Sequence, residues 1–263
     1  MPPNVPSRRL TATLWLVLLA ALPAAAQQET AANRARLVAA YPDVLERADG
    51  DTLIWRDGTR TPFSDGRAKK PFATWLSEPD LDDIFAIPYP TGEPSAPAKD
   101  SDPGRARPAA LFDKMYGDCR KGEVEQHLTT VHWLPSRTNQ RLRVTRINGV
   151  DKKLAAISAE LDALPARFDA FLVPAAGTYA CRVIAGTDRP SAHGPGIAID
   201  IALKHSHYWR WSKTSAAGAI AWRNDIPYEI VRIFEKHGFI WGGRWYHYDT
   251  MHFEYRPELL PPG

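Results

Sequence analysis

Hydrophobic and polar positions divide the chain into stretches of different period. Residues 140–147 alternate, with Leu142, Val144 and Ile147 facing one way and arginines the other, the pattern of a half-buried strand. Asn148-Gly149 supplies a turn, and Val150, Leu154, Ile157, Leu161 and Leu164 then recur at helical spacing until Pro165 ends the helix. In 197–201, Ile197, Ile199 and Ile201 take one face while Ala198 and Asp200 take the other, which predicts a strand. Residues 227–238 open on Pro, place Ile230, Val231 and Phe234 on one side and stop at Gly, which predicts a second helix. Short apolar runs predict strands at 171–173, 179–184, 239–241 and 251–255, and 124–134 reads as mostly extended.

The first part of the chain has a weaker pattern. Residues 29–48 read as a short helix interrupted by Pro42, and 51–58 as a short strand running into an Asp-Gly turn. Residues 79–108 are crowded with Pro, Asp, Ser and Gly and have no sustained period, so they predict a loop or a wrapping segment. The expected class is α+β: a small antiparallel sheet with flanking helices, preceded by an irregular N-terminal extension.

The extreme N-terminus carries Arg8-Arg9, an apolar run from Leu10 to Leu22 and small residues up to Ala26, the order of a secretory signal peptide cleaved after Ala26. The run falls short of the ~20 apolar residues that span a bilayer. The expected organisation is a signal peptide at 1–26, a loop-rich extension at 27–110 that wraps or flanks the core, and a catalytic domain at 111–263. The mature protein is expected to be secreted or periplasmic, with no stable membrane span.

Composition changes this picture little. The chain has 263 residues, 44% hydrophobic and 24% charged, which is ordinary for a globular protein. Its net charge of +3 is spread without a Lys/Arg block, which gives no sign of nucleic-acid binding. Export makes a disulfide between the two cysteines, Cys119 and Cys181, the favoured reading over two buried thiols or thiolate ligands, because thiolate zinc sites use closely spaced cysteines.

The candidate chemistry lies in two motifs, Ser191-Ala-His193-Gly-Pro-Gly-Ile-Ala-Ile-Asp200 and Asp249-Thr-Met-His252-Phe-Glu254. A catalytic zinc takes about three protein ligands and keeps a fourth position open. His193, Asp200 and His252 make such a set for one Zn2+ ion. Asp249, three residues before His252, is placed to act as a base. Asp200 points away from the apolar face of its strand, where a buried carboxylate needs a partner.

The first motif resembles the Ser-x-His-x-x-Gly-x-Ala-x-Asp signature of the zinc D-alanyl-D-alanine carboxypeptidase family, which includes D-Ala-D-Ala dipeptidases and L-alanyl-D-glutamate endopeptidases. The second is similar to the acid-x-x-His signature that closes their sites, and the resemblance extends over roughly residues 177–259. It implies His193, Asp200 and His252 as zinc ligands, Asp249 as general base, and Arg182 as the arginine that holds substrate or the developing oxyanion. The implied activity is hydrolysis of peptide bonds in peptidoglycan stem peptides by zinc-activated water. Asp249 departs from the Glu of the carboxypeptidases and dipeptidases and matches the endopeptidase branch, which weakens the case for a terminal D-Ala-D-Ala substrate and leaves a D-Ala-D-Ala carboxypeptidase-like and an L-Ala-D-Glu-type endopeptidase activity both open.

Ser191, Trp241 and Arg244 are candidate substrate contacts. The aromatic run at 208–211 and that at 241–246 read as core and cleft wall. His205, His207 and His247 are weaker metal candidates. Ser191 lacks the Gly-x-Ser-x-Gly context of a hydrolase nucleophile and is read as orienting the His193 loop. The alternative function is a non-catalytic cell-wall binding or scaffold protein that retains a structural zinc.

Overall fold

The computed structural model describes residues 24–67, 69–212 and 219–261, so most of the expected signal peptide lies outside the described residues. The chain starts with helix α1 (Ala24–Ala40), which Pro42 follows as expected. Beyond it the expected helix gives way to strand β1 (Leu45–Asp49), which pairs antiparallel with β2 (Thr52–Trp55), itself paired with β3 (Arg60–Pro62). Gly58, at φ 81°, makes the turn expected after β2. A short helix α2 (Phe72–Ser77) follows, and 79–108 holds only one 3-10 turn, as its composition predicts.

Helix α3 (Ala109–Tyr116) leads to the hairpin of β4 (Leu128–Trp133) and β5 (Gln140–Thr145), whose inward residues Leu142 and Val144 are buried. Asn148 and Gly149 both take positive φ at the turn into α4 (Val150–Asp162). Val150, Leu154, Ile157 and Leu161 of α4 are fully buried.

Two expected strands are absent. Residues 169–172 form the one-turn helix α5 (Asp169–Leu172), and 179–184 make a single bridge, Val183 to Pro190, and no strand. Both are apolar runs too short for periodicity to separate strand from other buried backbone.

The last sheet holds the motifs. Strands β6 (Ala198–Asp200), β7 (Phe239–Trp241) and β8 (His252–Tyr255) form an antiparallel sheet in the order β6-β8-β7, and helix α6 (Tyr228–Lys236) precedes β7. Ile197, Ile199 and Ile201 join Phe234, Phe239 and Phe253 in one apolar core, and Leu37, Leu53 and Ile84 of the N-terminal part belong to the same cluster. The fold is therefore α+β with small antiparallel sheets. No helix among the described residues is long and apolar enough to cross a membrane.

The 101–107 segment lies directly on the 245–256 stretch. Trp245 Nε1 donates to Pro103 O (2.7 Å), Tyr246 N to Ser101 O (2.9 Å) and Arg256 Nη1 to Gly104 O (2.5 Å). Gly104, at φ 81°, allows this approach: a Cβ there would come within 2.5 Å of Ile240 Cδ1. The Cys119–Cys181 disulfide is formed and ties α3's exit to the segment before the first motif.

Candidate metal centre

Strand register builds half of the site. Asp200 of β6 is the cross-strand partner of His252 of β8, and side chains opposite each other in an antiparallel pair stand about 5 Å apart at Cβ. Asp200 Oδ1 is 3.0 Å from His252 Nδ1. Period two then places Glu254 on the same face of β8 as His252. Its Oε2 accepts from His252 Nε2 at 3.0 Å.

A turn supplies the other half. His193 follows Ser191, whose Oγ accepts from the His193 backbone N–H at 3.4 Å, in keeping with an orienting role for Ser191. His193 Nδ1 donates to the Thr178 carbonyl, and Thr178 is itself tied to β5 through Oγ1 donating to Arg143 O (2.6 Å). His193 Nε2 is then turned toward Asp200 Oδ1, 3.2 Å away. It is buried with no hydrogen-bond partner among the described residues.

These contacts test whether a metal fits. In each imidazole one nitrogen is used by an anchor, so the other presents its lone pair inward toward the same carboxylate. With both rings neutral, two lone pairs converging on one carboxylate repel, and a cation between them relieves this. The donor atoms of His193, Asp200 and His252 lie within 4.8 Å of one another, and two nitrogens with one oxygen suit zinc. The residues fit the ion.

The electrostatics agree. Burial works against ionised Asp200, but His193 and His252 outweigh it and hold the carboxyl far below its usual range. Burial likewise opposes charging His252, yet Asp200 and Glu254 raise it to about 9, so without a cation that ring carries its own positive charge. Asp249 is different. Burial and then the Asp200 charge push it up to about 6, and its Oδ1 is shielded from solvent with no hydrogen-bond partner among the described residues.

The cluster opens into a cavity of about 250 Å³ whose walls include Arg182, Ser191, Tyr208, Trp245 and Asp249. Arg182 is exposed and makes one weak bond to the Val183 carbonyl (3.4 Å), leaving its guanidinium at the cavity mouth. Trp241 and Arg244, expected as substrate contacts, are not among the residues that line this cavity. Trp241 is fully buried with Nε1 donating to Thr250 O (2.9 Å). Arg244 is buried against Glu235 (2.8 Å) and the Gly92 carbonyl (2.7 Å). Their apolar and charged character is used in packing α6 and β7 to the N-terminal loop.

The remaining histidines stay outside the cluster. His205 packs on Phe171, and His207 pairs with Asp225 at 2.8 Å. His247 lies in the cavity wall but its Nδ1 bonds Asp102 Oδ2 (2.7 Å).

Sequence reasoning missed the groups behind the ligands. Arg107 Nε donates to Glu254 Oε1 at 3.0 Å, with a second contact from Nη2 to Oε2. Arg256 Nη1 also reaches Glu254 Oε1 (3.1 Å), Arg256 Nε reaches Glu258 Oε1 (2.5 Å), and Tyr41 of α1 donates to Glu258 Oε2 (2.6 Å). Arg105, nine-tenths buried, adds a second arginine to the cavity wall. Only Glu254 had a local signal: it stands two residues after His252 on a predicted strand.

No curated protein and no solved structure gives a significant match to the chain. Residues 185–255, the stretch that holds both motifs, match the family model described as D-alanyl-D-alanine carboxypeptidase. The match supports a peptidase with His193, Asp200 and His252 as its potential metal site, and it supports the resemblance to the zinc D-alanyl-D-alanine carboxypeptidase family that the two motifs carry.

Proposed function

We propose that this chain is an exported, zinc-dependent peptidase that hydrolyses peptide bonds in peptidoglycan stem peptides. The observation that carries this reading is one cavity holding a His-Asp-His donor set and, separately, Asp249, whose shielded Oδ1 has no hydrogen-bond partner among the described residues. Bound zinc supplies a Lewis acid and lowers the pKa of a water from about 15.7 toward 7.

Around that chemistry the protein's own groups divide the work. Asp249 accepts a proton from the attacking water and returns it to the amine nitrogen as the C–N bond breaks. Its raised pKa suits it to hold that proton between the two transfers. Arg182 lines the same cavity, and its guanidinium would lower the energy of negative charge gathering on the carbonyl oxygen. Thr178 and Glu254 hold the two imidazoles in single orientations. The Asp at 249 favours an endopeptidase over an enzyme restricted to terminal D-Ala-D-Ala.

The scaffold alternative is not favoured. A structural zinc is closed by four protein ligands. Only three donors converge among the described residues, and the nearby His247 turns its Nδ1 to Asp102. The test is mass spectrometry of muropeptides digested with zinc-loaded protein, with and without chelator. The expected result is a chelator-sensitive mass loss that names the bond. No mass change at any pH would overturn the reading.

A further inference from the structure

A second cavity, about 300 Å³, adjoins the first, and the two share the wall made by Arg105, Arg107, Ser191 and Ala192. On its other side stands Arg189. Three arginines therefore face one small space two residues up the chain from the metal motif. Like charges held together in a partly buried place raise the free energy of the empty protein.

The pairing of these arginines is uneven. Arg107 is taken up by Glu254. Arg105 uses Nη1 on Asp102 (3.3 Å) and on the His247 carbonyl (3.4 Å), and none of its other donors has a hydrogen bond among the described residues. Arg189 is half-buried and has neither a side-chain hydrogen bond nor an ion pair among the described residues. Burial and then the charges of Arg105 and Arg107 bring it down to about 10.

Carboxylates do share the cavity, but none forms an ion pair with Arg189 among the described residues. Glu78 is held by Arg67 at 2.9 Å, Asp113 reaches Arg120 at 3.5 Å, and Asp188 is exposed. Arg189 feels the charge of Asp188 but forms no hydrogen bond or ion pair with any of the three among the described residues, which leaves its guanidinium donors open to an anion from outside.

Resting on the peptidase reading above, we propose that the Arg105–Arg189 cavity is a substrate subsite that binds a free carboxylate of the stem peptide close to the bond cleaved. Continuity with the metal cavity favours an anion carried by the substrate itself over an independent ion. A planar carboxylate matches the fork of a guanidinium, and such charge-assisted pairs are among the stronger hydrogen bonds. A γ-linked glutamate leaves its α-carboxylate free beside the peptide backbone, and amidation removes that charge while keeping the shape.

The test compares a stem peptide with this carboxylate free and the same peptide amidated. Affinities are measured by calorimetry on zinc-loaded Asp249→Asn protein, in which turnover is slowed enough for binding to be read first. The free acid is expected to bind more tightly by on the order of tenfold. The ratio should fall to about one in Asp249→Asn/Arg189→Gln and be partly kept with Arg189→Lys, which retains the charge. Equal affinity for the two peptides, or a preference that survives Arg189→Gln, overturns the subsite. So does phosphate competition with no discrimination between the peptides, which would mark a simple ion site. Hydrolysis of both peptides by the unsubstituted protein is scored separately. Cleavage of neither refutes the peptidase reading, whereas cleavage of both with equal binding refutes only the subsite.

Discussion

The two imidazoles of the cluster reach the same carboxylate by opposite means. His193 hangs on a backbone carbonyl, that of Thr178, in a turn governed by Gly and Pro. His252 rests on a buried carboxylate, Glu254, which two arginines neutralise and which connects through Arg256 and Glu258 to Tyr41 in the first helix. A backbone anchor survives almost any side-chain change nearby. A charged one depends on side chains both near, as Arg256, and 147 residues away, as Arg107, so the two halves of one site should fail under different insults.

The strongest break is chemical. His193→Ala and His252→Ala should each remove the metal and the activity together. Asp249→Asn should keep the metal and slow turnover by about 10²–10⁴-fold, the usual loss of a general base. Metal content by elemental analysis beside muropeptide turnover separates these cases, and an unchanged Asp249→Asn rate would remove that residue from the mechanism.

The next break falls on one half only. Glu254→Gln should weaken metal binding by about 10–100-fold, as loss of a carboxylate behind a ligating histidine does. It should also destabilise the fold by about 3–5 kcal/mol, because Arg107 and Arg256 lose the charge they share. A competing chelator and a thermal melt read the two effects independently. A metal affinity within a factor of two of the parent would show that Glu254 does not orient His252.

A smaller effect concerns His247, which sits in the wall without joining the cluster. Its partner Asp102 feels burial first, which raises its pKa, but His247 and Arg105 reverse this and leave it below its ordinary value. A carboxyl whose folded pKa lies below its unfolded value of about 3.9 gives stability that is full above that pH and is lost as the pH falls through the folded value. Melting temperature should therefore drop at the acid end. Asp102→Asn should start lower at neutral pH and show a flatter acid limb, by about 2–4 °C for each kcal/mol involved. An unchanged acid limb would remove Asp102 from the account.

The smallest change sharpens the contrast. Thr178→Val keeps the carbonyl that anchors His193 and loses only the hydroxyl bond to Arg143 O, so it should cost about 1 kcal/mol in stability and leave metal affinity within a factor of two. A large loss of metal would mean that the His193 anchor is as fragile as the other.

Legibility followed distance along the chain. Strand β6 and helices α4 and α6 carry their own periodicity, β7 and β8 are apolar runs that do pair, and the candidate ligands sit in compact motifs, so these were visible without coordinates. The stretches at 171–173 and 179–184 were apolar but too short to declare a period, and their backbones are set by neighbours. Arg105, Arg107 and Asp102 lie in a segment that reads as featureless. The pairing of Arg107 with Glu254 spans 147 residues and leaves no local trace. Arg244 stands beside aromatic residues as a cleft residue would, and its ion pair with Glu235 holds it buried outside the cavity lining.

The Cys119–Cys181 bond has a consequence for how the molecule breaks. It closes a ring over a separation of 62 residues that contains the β4–β5 hairpin, α4 and α5, and it worsens the unfolded state by about 4 kcal/mol in the chain-entropy picture. A protease that cuts once inside that ring leaves a nicked molecule whose halves remain covalently joined. On a gel without reductant the nicked chain runs as one species, and the turn bearing His193 stays tethered to the segment that supplies Arg105 and Arg107.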